Sequence, residues 1–252
     1  MLEVKFYDTV DDSLLKFAVI ISQSNGKWVF CKHKERDTYE APGGHREVGE
    51  DILETAKREL QEETGAIQFD IKPICVYSVT GKNSVNETGE ETFGLLCFAE
   101  ITEFSGQLES EIEKVELMDE LPQNWTYPLI QPKLIEKYLQ VKNNSIVGTT
   151  VTVTVDRPLG SYHPEYKDMY YPINYGYIEG VMAPDGEEQD AYILGVNEPV
   201  GKFTGKIIAI VYRKDDIEEK WVVVPDGVTF SKEEIRRQIH FQEQYFDSKI
   251  VM

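Results

Sequence analysis

The apolar positions change period several times along the chain, and each change marks an element. From Lys16 to Lys32 two apolar-rich runs flank Asn25-Gly26, the strongest short hairpin signal, and predict a β-hairpin. After Pro42-Gly43-Gly44 the spacing becomes helical. Ile52, Leu53, Ala56 and Leu60 fall on one face, so a helix is expected from Glu50 to Thr64, ended by Gly65. Strands are expected at 67–79, 92–101 and Val115–Met118, then an amphipathic helix from Leu129 to Val141 with Leu134, Ile135 and Tyr138 on one face. Lys142-Asn143-Asn144-Ser145 reads as a polar break, after which Thr149 to Val155 alternates Thr and Val in strict period two. Beyond it lie strand candidates at 151–155, 191–196, 205–212 and 220–224, and a polar helix from Ser231 to Tyr245 with Ser231 as N-cap and Glu234 three residues on. The pattern predicts a mixed α/β unit over 1–144 and a small β-barrel with a terminal helix over 145–252.

A length of 252 residues accommodates this division, and 41% hydrophobic residues suffice for a core in each part. The charge is −19, from 26 Lys and Arg against 45 Asp and Glu. So negative a surface repels nucleic acid and anionic membranes, and an anionic substrate would need a cation beside it. The first residues lack a secretory pattern and no apolar run reaches the length of a membrane span, so a cytoplasmic protein is expected. Cys31, Cys75 and Cys97 have no paired spacing and read as reduced core thiols.

One stretch carries clear chemistry. Glu59, Glu62 and Glu63 lie three and four residues apart on one helical face, where like charges repel and a divalent cation is the natural compensation. Glu50 is out of helical phase and must reach in from the start of the helix, while Arg58 can pair with one carboxylate. A lone Glu-x-x-Glu-Glu would be a solvated acidic helix; the frame around it decides otherwise. Gly44, Glu50, Arg58, Glu59, Leu60, Glu62, Glu63 and Gly65 reproduce the spacing of the Nudix box, with Ala66 as its last small apolar residue.

The resemblance to the Nudix family spans about residues 1–141 and implies an α/β/α sandwich with a mixed sheet that hydrolyses nucleoside diphosphates linked to another group. By residue, it implies Glu59, Glu62 and Glu63 as main ligands of Mg²⁺ (or Mn²⁺), Glu50 assisting, Arg58 orienting a carboxylate, and Gly44 offering its carbonyl. Family members differ in their general base; Glu62, Glu91 and Glu116 are the candidates, in that order. Lys32, Lys34 and Arg36, just ahead of the box, are candidates for steering phosphates. Their lead-in resembles the branch that cleaves nucleoside triphosphates, oxidised ones included, to monophosphate and pyrophosphate. The triphosphate end of RNA is an alternative substrate that the acidic charge disfavours.

A second constellation lies in the barrel. Asp185-Gly186-Glu187-Glu188-Gln189-Asp190 follows Asn174-Tyr175-Gly176-Tyr177-Ile178, and Asp215-Asp216 with Glu218 and Lys220 comes after. Alone, such an acidic turn is usually solvated; in this order the segments resemble family I inorganic pyrophosphatase, an OB-like barrel, over about residues 150–248. The resemblance implies Asp185, Glu187, Asp190, Asp216 and Glu218 as Mg²⁺ ligands, Asp156 as the acid of the first strand, and Tyr177, Tyr245 and Lys220 as phosphate contacts. The chain is shorter than the family between Ser161 and Tyr171, so the hairpin that carries a phosphate-binding arginine is missing. Phe246 stands where the family has a lysine. Two readings of the second part stay open: a pyrophosphatase acting on the first part's product, or a non-catalytic binding or assembly module that would make the chain a homo-oligomer.

Overall fold

The computed structural model describes residues 2–82, 86, 88–106, 108, 111–183, 186–213 and 219–252. The chain divides into two compact units, Met1–Gln140 and Val141–Met252. The first contains β1 (Glu3–Tyr7), β2 (Leu15–Ser24), β3 (Lys27–His33), β4 (Tyr39–Glu40), β5 (Gly43–His45), helix α1 (Ile52–Thr64), β6 (Ala66–Thr80), β7 (Thr92–Phe104) and β8 (Ile112–Met118). Helix α2 (Gln131–Ile146) follows. The sheet runs β1-β6-β7-β2-β3-β4, with β5 on β2 and β8 on β3. The β2–β7 pair is parallel and the other pairs are antiparallel, a mixed sheet as expected.

Strand alternation gives this sheet two apolar faces. Ile20, Leu95 and Cys97 join Ile52, Ala56 and Leu60 of α1 in one core. Their neighbours Ile21, Leu96 and Phe98 join Leu134, Ile135 and Tyr138 of α2 in the other. The α/β/α sandwich follows directly from that alternation. Helix α1 starts two residues after Glu50, because Asp51 caps it and Glu54 completes a capping box; Gly65 ends it in the left-handed region at φ 69°. Asn25 and Gly26, at φ 50° and 76°, turn the β2–β3 hairpin.

Helix α2 differs from expectation. It continues through 142–145, read as a break, because Lys142 pairs with Glu219 at 2.8 Å and Asn143 accepts the Tyr212 hydroxyl, so both polar side chains are held.

The second unit contains β9 (Thr150–Arg157), β10 (Asn174–Met182), β11 (Glu188–Ile193), β12 (Lys202–Arg213), β13 (Glu219–Val224), α3 (Lys232–Glu243) and β14 (Ser248–Val251). Strands β13-β11-β10-β9-β12 close on themselves through a β12–β13 pairing, and β14 adds to β12. Each of the five barrel strands sends apolar residues to one core: Val153, Ile178, Ile193, Ile207 and Val223. The alternate residues Tyr192, Leu194, Val211 and Val222 pack under Ile235 and Ile239 of α3. Strand β10 escaped the hydrophobic pattern since its glycines and tyrosines break the alternation. Gly176 is required there: a Cβ would lie 2.0 Å from the Thr154 carbonyl oxygen.

Candidate functional site

In the first unit the acidic box is folded around one guanidinium. Arg58 donates from Nε to Glu50 at 2.9 Å, and from Nη1 to Glu59 at 2.8 Å and Glu62 at 3.2 Å. Glu50 also accepts the Glu47 amide and the Thr55 hydroxyl, which fixes it ahead of the helix as its phase required. The Arg58 hydrogen bonds, with those donors, hold the Glu50 carboxyl down at about 2.

Glu59 and Glu63 shift in the opposite direction. Burial raises Glu59, against the pull of Arg58. Burial pushes Glu63 up to about 8, opposed by the Gly43 amide that donates to it at 3.0 Å and aided by the charges of Glu59 and Glu40. The glycine turn exists for these carboxylates. A Cβ on Gly44 would lie 2.2 Å from a Glu59 oxygen, so only glycine lets the Glu59 carboxylate rest against this backbone.

Among the described residues no three acidic, His or Cys side chains stand in ready metal-holding geometry, since Arg58 holds three of the box carboxylates turned toward itself. The donor set still fits a hard divalent cation. Glu59 and Glu63 are carboxylates raised first by burial and then by neighbouring carboxylates, Glu62 and Glu50 for the former and Glu59 and Glu40 for the latter, a charge that a cation would discharge.

The other sequence candidates are engaged elsewhere. Lys32 pairs with Glu113 at 2.7 Å and Asp37 at 3.2 Å, and Arg36 pairs with Glu40 at 3.3 Å. The Lys34 amide donates to the Glu111 carbonyl. Glu91 accepts from Tyr7 and Ser78, and Glu116 from Tyr39 and Lys114.

The second unit holds a cavity of about 520 Å³ walled by residues of β9 to β13 and of α3. Tyr177, Glu187, Asp190 and Lys220 all line it. Lys220 is buried, donating to Asp190 at 2.6 Å and to the Tyr175 hydroxyl at 2.7 Å, while the Tyr175 hydroxyl also donates to Asp190. Tyr245 is exposed and not part of the wall; Gln242 of α3 is. Asp185, Asp216 and Glu218 lie outside the described residues.

The wall also holds residues that sequence reasoning passed over, among them Arg157, His163, Tyr171 and Arg213. Arg213 is 3% exposed, held by Glu243 at 2.8 Å and stacked 3.5 Å from the Phe246 ring centroid. Burial alone would raise Glu243; Arg213, Ser248 and the Tyr192 hydroxyl bring it below its usual value instead.

With this geometry in view, residues 13–137 match the family model for the NUDIX domain. A Bacillus subtilis (strain 168) protein, named provisionally as the 8-oxo-dGTP diphosphatase YtkD, is 33% identical over 123 residues, 48% of this chain and 73% of that protein. The chain belongs to the Nudix family. As a Nudix protein it is a hydrolase of phosphoanhydride bonds. The inorganic pyrophosphatase of Halalkalibacterium halodurans is 28% identical over 103 residues, 38% of this chain, and the chain spans 61% of that protein's length. The crystal structure of the Bacillus subtilis pyrophosphohydrolase BsRppH shares 27% identity, covering 55% of this chain and 90% of that one with a TM-score of 0.46. The Nudix protein thus carries a pyrophosphatase-like C-terminal part. No helix among the described residues is long and apolar enough to cross a membrane.

Proposed function

We propose that this Nudix protein hydrolyses a nucleoside triphosphate to the monophosphate and pyrophosphate, and that its second unit hydrolyses the pyrophosphate to two orthophosphates. The observation that carries the first step is the carboxylate set gathered at Gly43-Gly44 and Arg58. Glu59, Glu62 and Glu63 would hold Mg²⁺ or Mn²⁺, with Glu50 and the Gly44 carbonyl assisting. Bound there, the cation would neutralise diphosphate charge and acidify a neighbouring water. Arg58 keeps Glu50 and Glu59 in place, and the Gly43 amide does the same for Glu63. Glu62 is the group we assign to take the proton of the attacking water. Its side chain is 43% exposed against 12% for Glu59, which leaves it open to a water from solvent. Glu91 and Glu116 already accept from two donors each and rank behind it.

The relative named for 8-oxo-dGTP makes that compound the first to test, beside the common triphosphates and an RNA with a 5′ triphosphate. For the second step the support is the cavity where Lys220, Tyr177, Glu187 and Asp190 meet, cationic and acidic groups together as a metal–diphosphate complex needs. Removing the product would draw the first reaction forward. A product assay with the triphosphate panel and Mg²⁺ separates the cases. Two orthophosphates per nucleotide consumed is the expected result; accumulating pyrophosphate would leave the second unit a binding module.

A further inference from the structure

Strand β9 ends in an irregularity that changes what the cavity contains. Tyr175 of β10 pairs with Arg157, but the next residue, Gly176, pairs with Val155, so Asp156 is an extra residue bulged out of the ladder. In a regular strand Asp156 and Arg157 would point to opposite faces. A bulge re-aims side chains, and here both consecutive residues line the one cavity, with the Arg157 guanidinium donating from Nη1 to the Asp156 carboxylate. The Arg157 side chain is 24% exposed, yet its Nε is buried and has no hydrogen-bond partner among the described residues. A buried donor without an acceptor is costly, and such groups in folded proteins call for an explanation.

The other cations on the wall are committed inward. Lys220 donates to Asp190 and Tyr175, and Arg213 to Glu243. Arg157 is engaged by Asp156 and by the Tyr171 hydroxyl, but its buried Nε has no hydrogen-bond partner among the described residues, and it stands beside Tyr175 on the same register. We propose that Arg157, re-aimed by the β9 bulge and braced by Asp156, is the anion-binding cation of the second-unit cavity and grips a phosphate group of a bound diphosphate. The guanidinium fork suits two phosphate oxygens at once, which a lysine at this place would not match. In this chain Arg157 supplies from the end of β9 the contact that the shortened 161–171 segment cannot. This inference rests on the reading of the second unit as a diphosphate site and assigns the residue that recognises the anion.

The test is calorimetric titration of the full chain with inorganic pyrophosphate, and separately with ADP, in Ca²⁺, which is too large for the tight octahedral site of Mg²⁺ and so slows turnover. Loss of charge-assisted hydrogen bonds predicts about a 10- to 100-fold rise in Kd for Arg157→Gln. Arg157→Lys, which keeps the charge and loses the fork, should fall between the two. Dependence on Arg157 in either titration supports the assignment, and the tighter ligand identifies free or nucleotide-borne diphosphate. Thermal melts of ligand-free protein guard against a purely structural effect. If Arg157→Gln lowers the ligand-free midpoint but leaves the pyrophosphate-induced increment unchanged, or if its Kd stays within twofold of the parent's, Arg157 is not the anion-binding group. No binding by the parent would overturn both this assignment and the pyrophosphatase reading; binding that survives Arg157→Gln would overturn this assignment alone.

Discussion

Glu63 allows the charge argument at the Nudix box to be measured without any substrate. Its carboxyl titrates at about 8 in the folded chain against 4.5 for an ordinary glutamate, chiefly because burial penalises the charged form. The native state therefore keeps a proton that the unfolded state has lost between those values. Stability changes with pH in proportion to protons bound in the unfolded minus the native state, so it falls as pH rises through this window. The contribution is complete below pH 4.5 and gone above about 8. At about 1.4 kcal/mol per tenfold, the gap corresponds to a ceiling of about 5 kcal/mol, and we expect a loss of at least about 2 kcal/mol between pH 5 and pH 8. Glu59, raised for the same reason, adds a smaller loss of the same sign. Glu63→Gln removes the titrating group while keeping its shape and its bond to Gly43. In EDTA, urea unfolding of the first unit, followed by the fluorescence of Trp28 and Trp125 in a Trp221→Phe chain, should show the parent weakening toward pH 8 and the variant nearly level. Mg²⁺ at about 100 times its Kd should return about 2.7 kcal/mol to the parent at pH 8 and much less to the variant. Equal pH slopes for parent and Glu63→Gln would refute the picture of a carboxylate held uncomfortably until a cation arrives.

Four further outcomes are expected. Glu62→Gln should lower nucleotide hydrolysis by about 10²-fold or more at saturating Mg²⁺, as for loss of a general base, with little change in the thermal midpoint; near-normal turnover would remove it from the role assigned here. Gly44→Ala displaces a flexible Glu59 carboxylate, whereas Gly43→Ala drives a Cβ to 2.4 Å from the Ala18 carbonyl. The first should therefore cut turnover about tenfold or more at nearly unchanged stability, and the second should cost about 2–3 kcal/mol in urea unfolding. Arg213→Ala leaves the buried Glu243 without its cation and should destabilise the second unit by about 3–5 kcal/mol, which Trp221 fluorescence would report.

How much of this was legible in the sequence depends on the range of the forces involved. The box was legible because its determinants are local: the helical phase of Glu59, Glu62 and Glu63 and Gly65 at the end act within one or two turns. The two faces of the first sheet obey an equally local rule, since adjacent residues such as Ile20 and Ile21 must point apart. The polar stretch 142–145 misled because its residues look like a linker until Glu219 and Tyr212, some 70 residues away in sequence, supply their partners. The ion pairs of Lys32 and Arg36 were not readable along the chain either. The two residues look like free cations ahead of a phosphate site, and the fold brings Glu113 and Glu40 to neutralise them.

Arg157 shows the same limit at the level of function. Read along the chain it is one cation at the end of a strand, and period two assigns it to the face opposite Asp156. Only the pairing of Val155 with Gly176 reveals the extra residue, and pairing is a property of two strands about 20 residues apart. A local cue does exist: Asp-Arg-Pro ends a strict Thr/Val alternation, and proline disfavours continuation of the ladder, so irregular geometry at this point is cheap. Gly176 is the second half of the cue, since its missing Cβ lets the β9 backbone approach to a distance no other residue allows. Replacing it should therefore disturb the cavity as well as the sheet: in Gly176→Ala the Thr154–Val155 backbone must move, and the bulge that aims Arg157 moves with it. Pyrophosphate affinity and second-unit stability should fall together in that variant, whereas Arg157→Gln should lower affinity alone. Equal affinity in a Gly176→Ala chain that has lost stability would separate the bulge from recognition and leave Arg157 aimed by something other than strand register.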